Sequence, residues 1–150
     1  MRYSAWNEQS TQMIFRQLPL AIVAALWVPA VQAATPITGR YFTEDGAGIV
    51  QVEPCGAVLC GRLLKVLKAA PGSPKTDVNN RDPASRGRPI QGIAILSGFT
   101  ERGADWRGTI YDPRNGKTYK SIVSRNTDGS LNVQGCIAFF CQTQRWAPGR

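Results

Sequence analysis

Beyond residue 34 the chain is broken at short intervals by turn-forming residues, and this spacing decides what it can fold into. "TEDGAG", "DPRNG" and "NTDGS" each separate apolar or β-branched segments. In "DPRNG", Pro113 fixes φ at the first central position of a turn, and Asn115 and Gly116 tolerate the left-handed conformation that closes it. The segments between are short: "GIVQVE" (48–53), "GIAILSGF" (92–99), "WRGTIY" (106–111), "KTYKSIVS" (117–124) and "LNVQG" (131–135). They alternate or are rich in β-branched residues, and none is long enough for an amphipathic helix. About eight strands joined mostly by tight turns predict an all-β antiparallel barrel or sandwich. The barrel is the better reading, because closure removes exposed strand edges. One connection is long, residues 68–90, and it holds the dense polar stretch "TDVNNRDPASRGRPI".

The N-terminal part reads differently. "LPLAIVAALWVPAV" (residues 18–31) is apolar, follows Arg16 and runs into "QAA", the order of a secretory signal peptide with small residues before a cut between Ala33 and Ala34. Residues 1–33 are thus expected to be a leader and residues 34–150 one barrel domain, exported to the periplasm or secreted. Met13 is an alternative start to Met1. The chain carries 18 Lys and Arg against 10 Asp and Glu, a formal charge of +8, spread without a run of like charges. That balance suits an anionic partner or a colloidally repelling surface, and the absence of a basic stripe interleaved with aromatics argues against nucleic acid.

Four cysteines occur in two copies of one spacing, Cys55 with Cys60 and Cys136 with Cys141. Export favours disulfides, and a gap of four residues suits a bond across the base of a hairpin loop. Such small rings contribute roughly 2 kcal/mol each in the loop-entropy model. The alternative, a four-cysteine zinc site, sits poorly with the spacing and with a chain that has no histidine. No metal and no cofactor is expected.

The same lack of histidine removes the Ser-His and Cys-His pairs. A hydrolase built on a Ser-Lys pair or paired carboxylates among Lys65, Lys75, Asp77, Asp82 and Asp112 is an alternative that no spacing selects. In the long connection, Asp77, Asn79 and Asp82 form a D-x-N-x-x-D pattern. It lacks the glycine and terminal Glu of a calcium loop. Asp and Asn also accept hydrogen bonds from nearby backbone, Asp82 can cap a helical turn with Pro83 first in it, and Arg86 or Arg88 can pair with the carboxylates. These residues are read as structuring a lid at the barrel mouth.

Taken in order, "GRYFTEDG", "CGAVLCGRL", "DVNNRDPASRGRPIQG", "GFTERGADWRGTIYDPRNGKTY", "LNVQGC" and "TQRW" resemble a bacterial family catalogued as domain of unknown function 2147 (DUF2147). The resemblance spans nearly all of residues 34–150. It implies an exported, lipocalin-like antiparallel β-barrel and leaves the activity open. Relatives carry Trp in a Gly-x-Trp opening where this chain has Tyr41, and the resemblance places that aromatic against a basic residue of the last strand, here Arg145.

Three functions compete. The first is a binding module whose mouth, near the long loop, takes a small amphipathic or lipid-like ligand through Trp106, Tyr111, Tyr119, Trp146, Arg86 and Arg88. The second is a structural or interaction protein acting through its basic surface on an anionic envelope surface. The third is the hydrolase named above.

Overall fold

The structure, a computed structural model, describes residues 32–149. The leader read at residues 18–31 lies outside them. Eight strands are present among the described residues: β1 (Gly39–Phe42), β2 (Gly48–Cys55), β3 (Val58–Val66), β4 (Ala94–Arg102), β5 (Asp105–Asp112), β6 (Lys117–Arg125), β7 (Leu131–Ile137) and β8 (Phe140–Pro148). Each pairs antiparallel with its sequence neighbour, and β1 pairs with β8 to close a barrel. The hairpin read from "DPRNG" is β5–β6, whose register runs unbroken from Asp112↔Lys117 to Trp106↔Val123.

Because the chain runs up and down, its connections sort to two ends. The β1–β2, β3–β4, β5–β6 and β7–β8 connections share one end. The β2–β3, β4–β5 and β6–β7 connections share the other with the incoming N-terminal residues.

The strand period of two decides which side chains face inward. Val50 and Val52 on β2, Leu59 and Leu63 on β3, Val123 on β6, Leu131 and Val133 on β7 and Trp146 on β8 are buried in one cluster. On β4 the period breaks, for Leu96 and Phe99 are both buried although three positions apart. The β4–β5 register shifts between Ser97 and Thr100, and Gly98 at φ 67 supplies the left-handed residue of that bulge.

The N-terminal residues cap their end of the barrel. Ile37 is fully buried, the Trp106 indole N–H donates to the Thr35 carbonyl at 2.9 Å, and Arg125 donates to the Pro36 carbonyl at 3.1 Å. The Ala34 backbone N–H donates to Glu101 Oε1 at 2.6 Å. Tyr41 is buried here and its hydroxyl donates to the Thr38 carbonyl at 3.3 Å. Arg145 does not meet it. Arg145 sits opposite Asn132 on the outward side of β8, one position from inward-facing Trp146, and its guanidinium pairs with Asp128. The cation whose field reaches Tyr41 is Arg125 on β6. Burial raises the Tyr41 pKa, and Arg125 opposes that rise.

Candidate functional site

The long connection is ordered by its own polar residues. Its two legs meet where Thr76 bridges Pro89 and the Asp77 N–H donates to the Arg88 carbonyl. At the centre the Asp77 side chain is fully buried. It accepts from the Tyr111 hydroxyl at 2.6 Å, Asn80 Nδ2 at 2.7 Å, and Arg88 Nη2 and Nε at 3.1 and 3.2 Å. Burial pushes this carboxyl's pKa up, but the three donors together outweigh it, so the net pKa lies below the usual carboxylate range. The Tyr111 hydroxyl is pushed up to about 12, first by burial and then by the Asp77 carboxylate it donates to.

Asp82 caps the single 3₁₀ turn Pro83–Ser85, accepting from the Ala84 N–H at 3.1 Å and the Ser85 hydroxyl at 2.7 Å. Those bonds, the Ser85 one first, hold its carboxyl below the usual range. Arg86 Nε donates to the Asn80 carbonyl at 2.8 Å. Asn79 acts otherwise than its expected role as an acceptor within the loop. Its amide donates to the Pro113 and Arg114 carbonyls at 3.3 and 3.0 Å, tying the loop tip to the β5–β6 turn. Gly116 makes this close approach possible, since a Cβ there would lie 1.7 Å from the Asn79 carbonyl oxygen. The connection therefore buttresses β5 and its turn from the side. Among the described residues no group of three or more His, Cys, Asp or Glu is placed to hold a metal ion.

The loop reaches its end of the barrel at one side, where Arg81 comes to the rim of the mouth. By alternation with buried Val123, Val133 and Trp146, the inward positions above the core are Lys117, Tyr119 and Ser121 on β6, Gly135 on β7 and Gln142 on β8. Lys117 and Gln142 are exposed although they face inward, so solvent enters this half of the barrel. A depression of about 410 Å³ straddles the rim of the mouth at β6 and β7, lined by inward-facing Lys117, Tyr119 and Ile137, by outward-facing Thr118, Lys120 and Cys136, and by Ala138 and Arg81. Ser121 lies two positions below Tyr119 on the same face. Its residue is 2% exposed and its hydroxyl finds no hydrogen-bond partner among the described residues.

The six residues expected to hold a ligand are scattered. Tyr119 lines the mouth. Tyr111 and Arg88 are held by Asp77, Arg86 by the loop backbone, and Trp146 is buried in the core with its indole N–H on Gln144 Oε1 at 2.9 Å. Trp106 stands at the capped end, beside a separate depression of about 300 Å³ formed with Leu59, Phe99 and Glu101. Sequence reasoning missed Asn80, Arg81, Ser121 and the basic pair Lys117 and Lys120. For Lys117 and Ser121 a signal existed, since they share the alternation of Tyr119 and Val123 in "KTYKSIV".

The disulfides join Cys55 to Cys60 and Cys136 to Cys141, with Cα atoms 5.8 and 4.0 Å apart. Each spans a hairpin, one at the capped end (β2–β3) and one at the mouth (β7–β8).

The model of a family described as "Uncharacterized protein conserved in bacteria (DUF2147)" matches residues 39–147. Among solved structures, protein HP1028 from Helicobacter pylori, described as belonging to the lipocalin family, superposes with a TM-score of 0.67 at 22% sequence identity. The match covers 78% of this chain and 85% of that one. No curated protein matches the chain.

Proposed function

Since the chain belongs to the bacterial DUF2147 family and its eight-stranded barrel is lipocalin-like, we propose that it is a binding module that takes one small amphipathic, lipid-like molecule at the mouth. The observation that carries this reading is the buried, unpartnered Ser121 hydroxyl beneath the open, tyrosine-lined mouth. A buried hydroxyl without a partner costs free energy that a ligand's polar atom recovers. The lining sets the ligand's character. Tyr119 and Ile137 take an apolar body, while Arg81, Lys117 and Lys120 take an anionic head. The packed layer of Val123, Val133 and Leu96 below limits the depth, so the body is short. Export belongs to the same proposal, and the two disulfides support it because they suit an oxidising compartment; cleavage after Ala33 would leave Ala34 as the first residue.

8-Hydroxyoctanoate, a short apolar chain with a carboxylate for the rim cations and a terminal hydroxyl for Ser121, is the test ligand, titrated calorimetrically into protein recovered from the periplasm, whose mass shows whether Ala34 is the first residue. Saturable one-to-one binding is expected. Tyr119→Ala should weaken it about tenfold, by the area a tyrosine buries. Trp106→Ala, at the opposite end, should leave it unchanged. No saturable binding, or equal loss in both variants, overturns the assignment to the mouth.

A further inference from the structure

The tip of the β7–β8 hairpin is built against the usual rule for a loop. Between Cys136 and Cys141 stand Ile137, Ala138, Phe139 and Phe140, and their exposures are 65% for Ile137, 98% for Phe139 and 84% for Phe140. A disulfide across neighbouring strand positions holds this apolar turn rigid, with Ala138 at φ 52 forming its corner. Single exposed apolar residues are ordinary on protein surfaces, but a contiguous exposed cluster marks an interaction site.

Its placement narrows the partner. Among the described residues, the other large exposed apolar side chains are Leu64, Val66, Leu67 and Val78. All lie on the mouth-side half of β3 or in the β3–β4 connection, on the half of the barrel that carries the tip, and none lies toward the capped end. Basic side chains flank the tip on its β6 side. Arg81, Lys117 and Lys120 line the depression whose far wall is Ile137 and Ala138. Of the acidic groups in the neighbouring turns, Asp112 is paired with Arg114 and Asp77 with Arg88, while Asp45 and Asp82 keep their charge but are hydrogen-bonded within their own turns and Glu44 accepts from the Arg145 backbone N–H.

We propose that the protein docks mouth-first on an anionic lipid bilayer, inserting Phe139 and Phe140 at the headgroup boundary while Arg81, Lys117 and Lys120 meet the lipid phosphates. Aromatic rings at the interface and basic side chains beside them supply the two forces, apolar burial and attraction to anionic headgroups, that hold a protein on a membrane without spanning it. A second copy of the chain fits the same surface less well. Pairing two tips would bring the same three cations face to face on a chain of charge +8. The three cations are the ones that the ligand's anionic head would meet, so flotation is run without added 8-hydroxyoctanoate and its outcome is read separately from that of the titration.

The test is flotation of the purified protein with phosphatidylcholine vesicles, with and without phosphatidylglycerol. Co-flotation is expected with the anionic vesicles and should fall as salt rises. Phe139→Ser/Phe140→Ser should lower the partition coefficient at least tenfold. Lys117→Gln/Lys120→Gln should lower it on the order of 25-fold at low salt, about fivefold per charge. Unchanged melting temperatures show that both variants fold, as the exposure of their side chains leads one to expect. Failure of the wild-type protein to float overturns the proposal, as does flotation indifferent to the two phenylalanines. A dimer in size-exclusion chromatography that Phe139→Ser/Phe140→Ser dissolves overturns it in favour of a second copy.

Discussion

Replacing Asp77 by Ala removes the acceptor around which the long connection is ordered, and the structure fixes roughly what this costs. The carboxylate is fully buried and accepts four hydrogen bonds from three residues. A hydrogen bond to a charged group contributes about 1.5–3 kcal/mol. The Arg88 side chain is 46% exposed, so water replaces much of its lost contact and its share is small. Tyr111 and Asn80 have less access to water, and together they put the cost of Asp77→Ala at about 3–5 kcal/mol, the range for breaking one partner out of a buried pair. Tyr111→Phe removes one donor and should cost about 1.5–3 kcal/mol. Both are read from urea unfolding midpoints at constant m-value. Because the two residues share one contact, the double variant should cost less than the sum by about 1 kcal/mol or more. The pH dependence follows in sign. Asp77's folded pKa lies below its unfolded value of about 3.9, so its contribution is complete above that pH and is lost as pH falls through the folded value. Asp77→Asn should lack that portion of the acid sensitivity. A cost for Asp77→Ala below about 1 kcal/mol, or a strictly additive cycle, would refute the view that this carboxylate organises the loop.

Gly116→Ala places a Cβ against the Asn79 carbonyl at a positive φ, so it should free the loop tip from the β5–β6 turn and cost at least about 1–2 kcal/mol. Limited proteolysis should then cut within residues 76–90, and an uncut loop would count against the contact. Tyr111, raised to about 12 in the fold, binds its proton more tightly folded than unfolded, so stability should decline as pH rises from about 10 to about 12. Alkaline denaturation followed by circular dichroism should show a shallower decline in Tyr111→Phe, with the remainder due to the raised pKa of Tyr41.

The barrel was legible because strand formation here is announced locally. Turn residues punctuate the chain and β-branched alternation fills the intervals, as in "KTYKSIVS", where Ser121 and Val123 face inward as the period requires. Phe99 shows where the period fails. A bulge at Gly98 turns it inward, and a single glycine in a strand pattern gives only a weak sign of that. The aromatics were harder to place for a different reason. Trp106, Tyr111, Tyr119 and Trp146 all stand in strands, and strand alternation says nothing of which end of a barrel a residue occupies or whether a distant loop satisfies its polar atom. Tyr111 faces outward, yet residue 77 claims its hydroxyl from more than thirty positions away. Asn80, which with Tyr111 carries most of the contact to Asp77, is its neighbour in sequence and donates to that hydroxyl as well. The apolar tip of the β7–β8 hairpin was written in "CIAFFC" but read there only for its cysteines.

The seam between the first and last strands is the narrowest part of the wall. β1 and β8 share two residue pairs, Tyr41↔Pro148 and Phe42↔Ala147, whereas β7 and β8 share seven. The two sides of that seam come from opposite ends of the polypeptide, about a hundred positions apart, so this contact pays the largest loop-closure entropy in the barrel. Each of the other seams joins neighbours in sequence, six across short turns and β3–β4 across the long connection, so each closes a much shorter loop. Closure is therefore the step expected last in folding, once β8 is in place. Until Trp146 arrives, the chain is an open, curling ribbon with β1 and β7 as bare edges, and the nearest edge available to either is the other.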